Sequence, residues 1–149
     1  MGNYTEFFYH FVWATRKRQP FITNEIEEPL HDYLRAKCKS LRVTVHAVNG
    51  MPDHVHLACT APPAIAVSEF LQKIKGASAH FINQKAAQEH RLQACLYWQP
   101  GFGGLTYTQH ELPGLIAYID NQKQHHHEGG LLEKLERCDD GFPTDEVAE

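Results

Sequence analysis

The stretch of sequence that decides the fold is a histidine-bearing hairpin, Asn49-Gly50-Met51-Pro52-Asp53-His54-Val55-His56-Leu57. Asn49-Gly50 is a strong signal for a two-residue turn, so the sequence predicts a strand over residues 41–48 and a returning strand over residues 53–60. Alternate residues of a strand point to the same face. His54 and His56 are therefore predicted to lie side by side, where both imidazoles can reach one metal ion.

The segments on either side of this hairpin also have regular patterns. Residues 4–15 are apolar on both alternating faces, which is typical of a central strand. A helix is predicted to begin at Thr23 or Asn24, because either residue can cap it and acidic residues crowd its first turn. It is predicted to end near Ser40. A second, long amphipathic helix is predicted from residue 66 to about residue 87.

The last third of the chain completes the predicted fold. We expect a loop over residues 98–104, a short strand over residues 105–108, a helix from about residue 110 to 127 and a short helix over residues 131–138. The element order β-α-β-β-α-β, followed by helix, predicts a ferredoxin-like (RRM-like) α+β fold. Its four-stranded antiparallel sheet should carry helices on one face, with a further C-terminal helix.

The composition predicts one soluble domain spanning residues 1–149, with an acidic tail from about residue 139. The 149 residues, 42% of them hydrophobic, are enough for one core. No run reaches the roughly 20 apolar residues of a membrane span, and the N-terminus lacks a signal-peptide pattern. A cytoplasmic protein without a membrane partner is expected. The four cysteines have no Cys-x-x-Cys spacing, which disfavours a zinc ribbon or a dithiol redox centre.

The charge is unevenly distributed along the chain. The formal net charge is -4, but residues 1–100 carry +3 and residues 101–149 carry -7. The total charge therefore does not exclude a nucleic-acid partner. The candidate phosphate contacts are basic residues after the first strand and in the second helix, namely Arg16, Lys17, Arg18, Lys73 and Lys75. The alternative is that these side chains only solvate exposed faces.

A tyrosine and an amide lie four residues apart in the predicted C-terminal helix. Tyr118 and Gln122 therefore share one helix face. A phenol has a reference pKa near ~10, so its phosphate ester remains a competent leaving group. Two histidines, an amide oxygen and a phenol compose a candidate site for phosphodiester chemistry with a divalent metal.

Each of these features, taken alone, has an ordinary structural explanation. A His-x-His pair in a strand is more often a surface or core pair than a pair of ligands, and a helical tyrosine usually packs in the core. Only the joint pattern favours a site. The tract His125-His126-His127 is excluded from the predicted metal ligands, since imidazolium groups suit the negative end of a helix.

The order and spacing of these motifs resemble the single-tyrosine HUH transposases of bacterial and archaeal insertion sequences, with their REP-associated relatives. The resemblance covers nearly the whole chain. It rests on Trp13-Ala14-Thr15, the hairpin from Asn49 to Leu57, Ile74-Lys75-Gly76-Ala77-Ser78, Trp98-Gln99, and Tyr118-Ile119-Asp120-Asn121-Gln122 followed by His125-His126.

The resemblance implies a DNA strand transferase and endonuclease that moves an insertion sequence through a 5′-phosphotyrosine intermediate. Tyr118 is then the implied nucleophile, and His54, His56 and Gln122 are the implied ligands of Mg²⁺ or Mn²⁺. An alternative is a nuclease of the same kind that a host has retained for another task.

Further expectations concern the surroundings of the site and its partners. Asp53 and His10 are expected to orient the ligand imidazoles. The expected partner is single-stranded DNA that bears a hairpin. The expected assembly is a homodimer that shares its active sites by exchanging the tyrosine helix, with Gly103-Gly104 as a hinge. The protein is expected to act in the bacterial or archaeal cytoplasm, in association with the nucleoid.

Two other function classes explain parts of the pattern. A non-catalytic RRM-like module would stack bases of a single strand on aromatic residues of the middle strands, where this hairpin has histidines instead. A histidine-triad hydrolase needs a further histidine two residues after His56, where Ala58 stands. A two-histidine phosphoesterase needs a second His-x-Ser/Thr motif, which the sequence lacks.

Overall fold

A four-stranded antiparallel sheet forms the centre of the structure, a computed structural model that describes residues 2–90 and 95–138. The strands are β1 (Phe8–Ala14), β2 (Thr44–Met51), β3 (His54–Thr60) and β4 (Gly103–Tyr107). Their spatial order is β2-β3-β1-β4, and each neighbouring pair is antiparallel. The ferredoxin-like sheet predicted from the sequence is confirmed, and β1 is an inner strand, as its two apolar faces indicated.

Two long helices, α1 (Asn24–Ser40) and α2 (Val67–Gln88), cover one face of the sheet. The buried residues of α1 recur every four positions, so the helix presents one apolar stripe to the sheet. They are Ile26, Leu30, Leu34 and Cys38. Together with α2 and strand residues such as Phe11 and Trp13 they form the main hydrophobic core. This face is closed by apolar packing.

The opposite face, called here the site face, carries the C-terminal elements. These are α3 (Leu112–Asp120), α4 (Gln122–Glu128) and the single-turn helix α5 (Glu133–Glu136). Apolar residues of α3 and α5 pack over the small side chains of Ala47 and Ala58. Because alanines line the sheet here, α3 can lie close to β2 and β3. Residues on α3 and α4 are therefore held beside the predicted histidine pair.

The predicted turn at Asn49-Gly50 is wrong, because both residues lie inside β2 and the turn is formed by Pro52 and Asp53. The Asn49 amide nitrogen instead donates to the carbonyl oxygens of residues 119 and 120, at 3.1 and 3.2 Å. These two bonds tie β2 to the end of α3. Gly50 is needed for a close approach of the strands, since a Cβ there would lie 2.1 Å from the carbonyl oxygen of His54.

Several further boundaries differ from the predictions: for example, β2 begins at Thr44 rather than at residue 41, and the last helix covers only Glu133–Glu136. β1 begins at Phe8 rather than at residue 4, and the single helix predicted over residues 110–127 is two helices that meet at Asn121. β4 begins at Gly103, so Gly103 and Gly104 are strand residues paired with Val12 and Phe11. They are not a loop, contrary to the prediction, whereas their role as a hinge for helix exchange stays a prediction.

The remaining predictions concern membrane spans, the acidic tail and the number of domains. Among residues 2–90 and 95–138, no helix combines the length and the apolar character that crossing a bilayer requires. The acidic tail predicted from about residue 139 lies outside the described residues. That residues 1–149 form a single domain stays a prediction.

Candidate metal and tyrosine site

The site is built on β3, where His54 and His56 both point to the site face. Their side chains are buried, because β2 and β1 flank β3 and the C-terminal helices lie above it. His54 is 2% exposed and His56 is 0% exposed. Two fully buried imidazoles on one face need polar partners, and the Nδ1 atom of each histidine has a different one.

His54 is oriented by the turn residue that precedes it. Its Nδ1 atom lies 2.7 Å from Oδ1 of Asp53. Burial alone would lower the pKa of His54, but hydrogen bonds to Asp53 and Glu136 outweigh burial and raise the pKa to about 9. The same bond holds the pKa of the Asp53 carboxyl below its usual value. The structure thus brings Asp53 to the histidine that it was predicted to orient, and Nε2 of His54 points into the site.

His56 is oriented by a third histidine from the neighbouring strand. Nε2 of His10 lies 2.8 Å from Nδ1 of His56, and the two rings stack with their centroids 5.1 Å apart. Burial, followed by the proximity of His56, lowers the pKa of His10 to about 3, so His10 is neutral. A neutral His10 can accept a hydrogen from Nδ1 of His56, and that tautomer would leave the Nε2 lone pair of His56 for a metal ion. Without a metal, the same Nε2 atom is hydrogen-bonded to Glu136 at 2.8 Å.

Tyr118 and Gln122 approach the histidines from α3 and α4. Oε1 of Gln122 lies 3.3 Å from Nε2 of His54, and Gln122 is fully buried. The Tyr118 ring meets His56 edge-on at 6.2 Å between centroids and stacks on His125 at 4.6 Å. Although Asn121 separates the two helices, its backbone N–H donates to the carbonyl of Ala117 at 3.1 Å, and the N–H of His125 donates to the carbonyl of Asn121 at 2.9 Å. Helical hydrogen bonds are therefore present on both sides of the junction between Tyr118 and Gln122.

A carboxylate that was not predicted lies among these groups. Oε2 of Glu136, on α5, lies 2.8 Å from Nε2 of His56 and 3.3 Å from Nε2 of His54. Its other oxygen, Oε1, accepts hydrogen bonds from the Tyr118 hydroxyl at 2.7 Å and from the Gln122 amide nitrogen at 3.1 Å. One carboxylate thus contacts the functional groups of all four predicted site residues.

The electrostatics of this carboxylate and of the phenol are linked. Burial would raise the pKa of Glu136, but hydrogen bonds from His54 and His56 hold it well below its usual range. Burial and the hydrogen bond to Glu136 raise the pKa of Tyr118 to about 12. The backbone N–H of Leu132 also donates to the phenol oxygen, at 3.1 Å. The phenol is therefore protonated at neutral pH, and its proton points to Glu136.

His126 also lies at the site, although its tract was not among the predicted ligands. Nε2 of His126 is 3.1 Å from Oε1 of Gln122 and 3.5 Å from Oε1 of Glu136. The signal that could have indicated it is its position four residues after Gln122, on the same face of α4. Glu136 gave no comparable signal, because it lies 14 residues beyond Gln122 in a segment with several acidic residues.

The donor groups suit a divalent ion. Two neutral imidazole nitrogens, an amide oxygen and a carboxylate are the mixed nitrogen and oxygen donors that Mn²⁺ and Mg²⁺ accept. In addition, His54, His126 and Glu136 offer ligand atoms that all lie within 4.8 Å of one another. A cation bound here would displace the proton that His54 holds.

The first predicted basic group borders this site. Arg16, Lys17 and Arg18 form an exposed 3₁₀ turn directly after β1. The backbone N–H of Thr15 donates to the carbonyl of Asp53 at 2.8 Å, which fastens this turn to the histidine hairpin. Nη1 of Arg18 lies 3.6 Å from Oδ2 of Asp53. The turn is thus one side chain away from His54.

The second predicted basic group lies farther away, on α2. Lys73 is exposed, whereas Nζ of Lys75 donates to two carbonyl oxygens of the segment that follows Trp98, both at 2.9 Å. A cavity of about 570 Å³ opens beside Lys75 and is also lined by Arg16, Tyr97 and Trp98. The guanidinium of Arg16 lies 4.9 Å above the Tyr97 ring. This cavity combines cations with aromatic rings but does not contain the histidines.

Comparisons with known proteins identify the family of the chain. The family model described as IS200-like transposase matches residues 3–122. The ISDra2 transposase TnpA of Deinococcus radiodurans is 31% identical over 116 residues, which are 76% of this chain and 82% of that protein. The transposase for insertion sequence element IS200 of Salmonella typhimurium is 30% identical over 71 residues, 48% of this chain and 47% of that protein.

Two solved structures have the same fold. One is the crystal structure of a candidate transposase from Deinococcus radiodurans R1, with a TM-score of 0.64, 30% identity, and coverage of 82% of this chain and 95% of that chain. The other is a REP-associated tyrosine transposase bound to a REP hairpin, with a TM-score of 0.57, 17% identity, and coverage of 88% and 76%. The family model and the first relative span most of the chain, and so the chain belongs to the family of IS200-like transposases.

Proposed function

We propose that this protein cleaves and rejoins single-stranded DNA, with Tyr118 as the nucleophile and with His54, His56 and Gln122 as ligands of Mg²⁺ or Mn²⁺. The observation that carries the proposal is the convergence of these four side chains on one point. The phenol oxygen and both Nε2 atoms lie within 3.3 Å of a single carboxylate, that of Glu136. A scissile phosphate bound near that point would contact the nucleophile and the metal together.

The reaction would conserve the energy of the phosphodiester bond. The Tyr118 oxygen forms a bond to phosphorus, and the bond from phosphorus to the 3′ oxygen of the preceding nucleotide breaks. The phenol proton passes to the carboxylate of Glu136, which is hydrogen-bonded to it. The 3′ oxygen takes a proton from solvent and leaves as a hydroxyl. The products are a 5′-phosphotyrosine and a free 3′-OH, which can attack a phosphotyrosine to rejoin a strand.

A bound Mg²⁺ or Mn²⁺ would supply Lewis-acid activation of the phosphate and orient it for in-line attack. The chain's own contribution is to fix the ligands. Asp53 and His10 set the tautomers of His54 and His56 through bonds of 2.7 and 2.8 Å, so that both Nε2 atoms face inward. Gln122 is held by its burial on α4.

The proposed partner is single-stranded DNA with a hairpin. Support comes from the exposed basic turn of Arg16, Lys17 and Arg18 beside the site and from the cavity in which Arg16 and Lys75 lie next to Tyr97. Cations that follow a backbone and aromatic rings that stack on bases are the usual means of binding a single strand. A structural neighbour of this chain is bound to a REP hairpin. A location in the cytoplasm, near the nucleoid, follows from such a partner as a prediction.

The proposal includes a homodimer, and it can be tested directly whether the two chains share their active sites by exchanging the tyrosine helix. Within one chain, Gln122 already lies 3.3 Å from His54, which supports a site completed by a single chain. Mixing a Tyr118→Phe chain with a His54→Ala chain distinguishes the two arrangements. Heterodimers regain activity if the tyrosine helix is exchanged between chains, and they remain inactive if each chain completes its own site.

The experiment that tests the reaction is the intact mass of the protein after incubation with hairpin-bearing oligonucleotides from the DNA that flanks its gene. With Mn²⁺ we expect an adduct of one DNA fragment, which is lost with EDTA and in Tyr118→Phe. Tyr33→Phe is the matched control, because Tyr33 stacks on Phe81 away from the site. If the hairpins bind and no adduct forms with any metal, the protein is a binding module on this fold and not a nuclease.

A further inference from the structure

We infer that Glu136 is itself a ligand of the divalent ion, so that the metal site takes its anionic donor from α5. This inference rests on the proposed function, because it concerns the same ion. It goes beyond that function in naming a ligand that comes after the segment matched by the family, which ends at residue 122. The occupant is a hard divalent cation, Mn²⁺ or Mg²⁺.

The distances between donor atoms support a shared coordination sphere. An octahedral ion with ligands at about 2.0–2.1 Å separates adjacent donors by about 3 Å. Oε2 of Glu136 lies 2.8 Å from Nε2 of His56 and 3.3 Å from Nε2 of His54, and Oε1 of Gln122 lies 3.3 Å from Nε2 of His54. Three neighbouring donor pairs therefore already have the spacing of octahedron edges.

The charge of the donor set also favours a carboxylate ligand. His54, His56 and Gln122 are neutral when they bind a metal, so alone they would give a dication no charge compensation. Mg²⁺ and Mn²⁺ prefer oxygen ligands and carboxylates in particular. The Glu136 side chain is 16% exposed and lies among the imidazole ligands, where a cation stabilises a largely buried carboxylate. A bound divalent ion would be such a cation.

Glu136 is held in place by packing on both sides. Leu135 before it is 7% exposed and contacts the Tyr118 cluster on α3, and Cys138 after it is 3% exposed against Val12 and Ala14. A carboxylate that only blocked the site would have to leave when DNA enters, and its departure would unpack both neighbours. Fixed placement suits a ligand better than a removable plug.

The test is the Mn²⁺ affinity of the DNA-free full-length protein, measured from the electron paramagnetic resonance signal of unbound Mn²⁺. Glu136→Gln keeps the shape of the side chain but removes its charge and one of its two acceptor oxygens, and we expect its affinity to fall by at least about tenfold. Glu133→Gln is the matched control, since it makes the same charge change on the exposed side of α5 and should stay within about twofold of wild type.

A second variant and a site control make the outcome decisive. Glu136→Asp keeps the charge but withdraws the oxygens by about 1.5 Å. If Glu136 is a ligand, this variant should bind Mn²⁺ more weakly than wild type. If Glu136 acts only through long-range electrostatics, its Mn²⁺ affinity should be unchanged. If Glu136→Gln and Glu136→Asp bind Mn²⁺ as tightly as wild type, or more tightly, the inference is overturned. In that case His56→Ala should still abolish binding, and the proposed metal site stands. If wild type and His56→Ala bind Mn²⁺ equally, the proposed metal site itself fails.

Discussion

Replacing Gly50 by alanine should damage the hairpin and the site together. Gly50 lies in β2 opposite Val55, directly beside the strand that carries both histidines. A Cβ at this position would lie 2.1 Å from the carbonyl oxygen of His54 and 3.0 Å from Cα of Val55. Ordinary contacts of this kind begin at about 3.4 Å. The two strands would therefore have to separate by more than about 1 Å at the residue that begins the metal site.

The magnitude follows from the nature of the obstacle. Both opposing atoms belong to backbone, so no side-chain rotation can relieve the overlap. Overpacking a rigid interior usually costs about 1–3 kcal/mol, and here we expect at least about 2 kcal/mol of unfolding free energy. In a chain of this size that corresponds to a fall in melting temperature of roughly 4–8 °C. Mn²⁺ affinity should fall as well, since His54 moves with its carbonyl.

The assay is a thermal melt followed by circular dichroism, combined with the Mn²⁺ titration. Gly76→Ala is the control, because Gly76 is exposed on α2 and a new methyl group there would meet no atom within 4 Å. Removing a helical glycine should raise the unfolding free energy by about 0.5–1 kcal/mol. A Gly50→Ala protein that melts within about 1 °C of wild type would refute the close approach of the two strands.

Three other predictions address the site, the acid sensitivity and the DNA contacts. His10→Phe removes the acceptor for Nδ1 of His56 and should weaken Mn²⁺ binding by roughly tenfold or more. His10→Gln retains an acceptor, so its Mn²⁺ affinity should fall less. The Mn²⁺ titration measures both variants. Burial lowers the pKa of His31 to about 4, so the unfolded chain binds a proton first as the pH falls below about 6.5. Wild type should therefore lose up to about 3 kcal/mol of unfolding free energy between about pH 6.5 and pH 4, and His31→Gln should not have this loss. Urea unfolding at about pH 7 and pH 4.5 measures the difference. Equal losses in the two proteins would contradict the lowered pKa of His31. Lys17→Gln should weaken DNA binding for all sequences alike and reduce the slope of log affinity against log salt by about 1, and an unchanged slope would exclude a phosphate contact.

Much of the fold could be predicted because its signals are local. The bounds of α1 follow from an acidic first turn and an apolar residue every four positions, and β1 follows from its apolar alternation. The turn predicted at Asn49-Gly50 failed for a non-local reason. Asn49 bonds to carbonyls at the end of α3, some 70 residues away, and Gly50 is small because another strand lies against it.

The candidate site divides in the same way. The pairing of His54 with His56 and of Tyr118 with Gln122 follows from the periods of a strand and a helix, which the sequence contains directly. The proximity of the two pairs follows only from the packing of α3 on β2 and β3. His126 could have been added from its spacing to Gln122, although its place at a helix end argued for another role.

The sequence by itself determined the element order, the family resemblance and the residue types that can perform phosphoryl transfer. Periodicity and the order and spacing of motifs are properties of the linear chain, so they need no knowledge of the fold. What only the tertiary structure decided was which groups share the site. Glu136 comes from a one-turn helix whose position depends on Leu135 and Cys138 finding space on the site face. Its contacts with His54, His56, Tyr118 and Gln122 arise from that packing, and no local pattern encodes a contact made across the sheet.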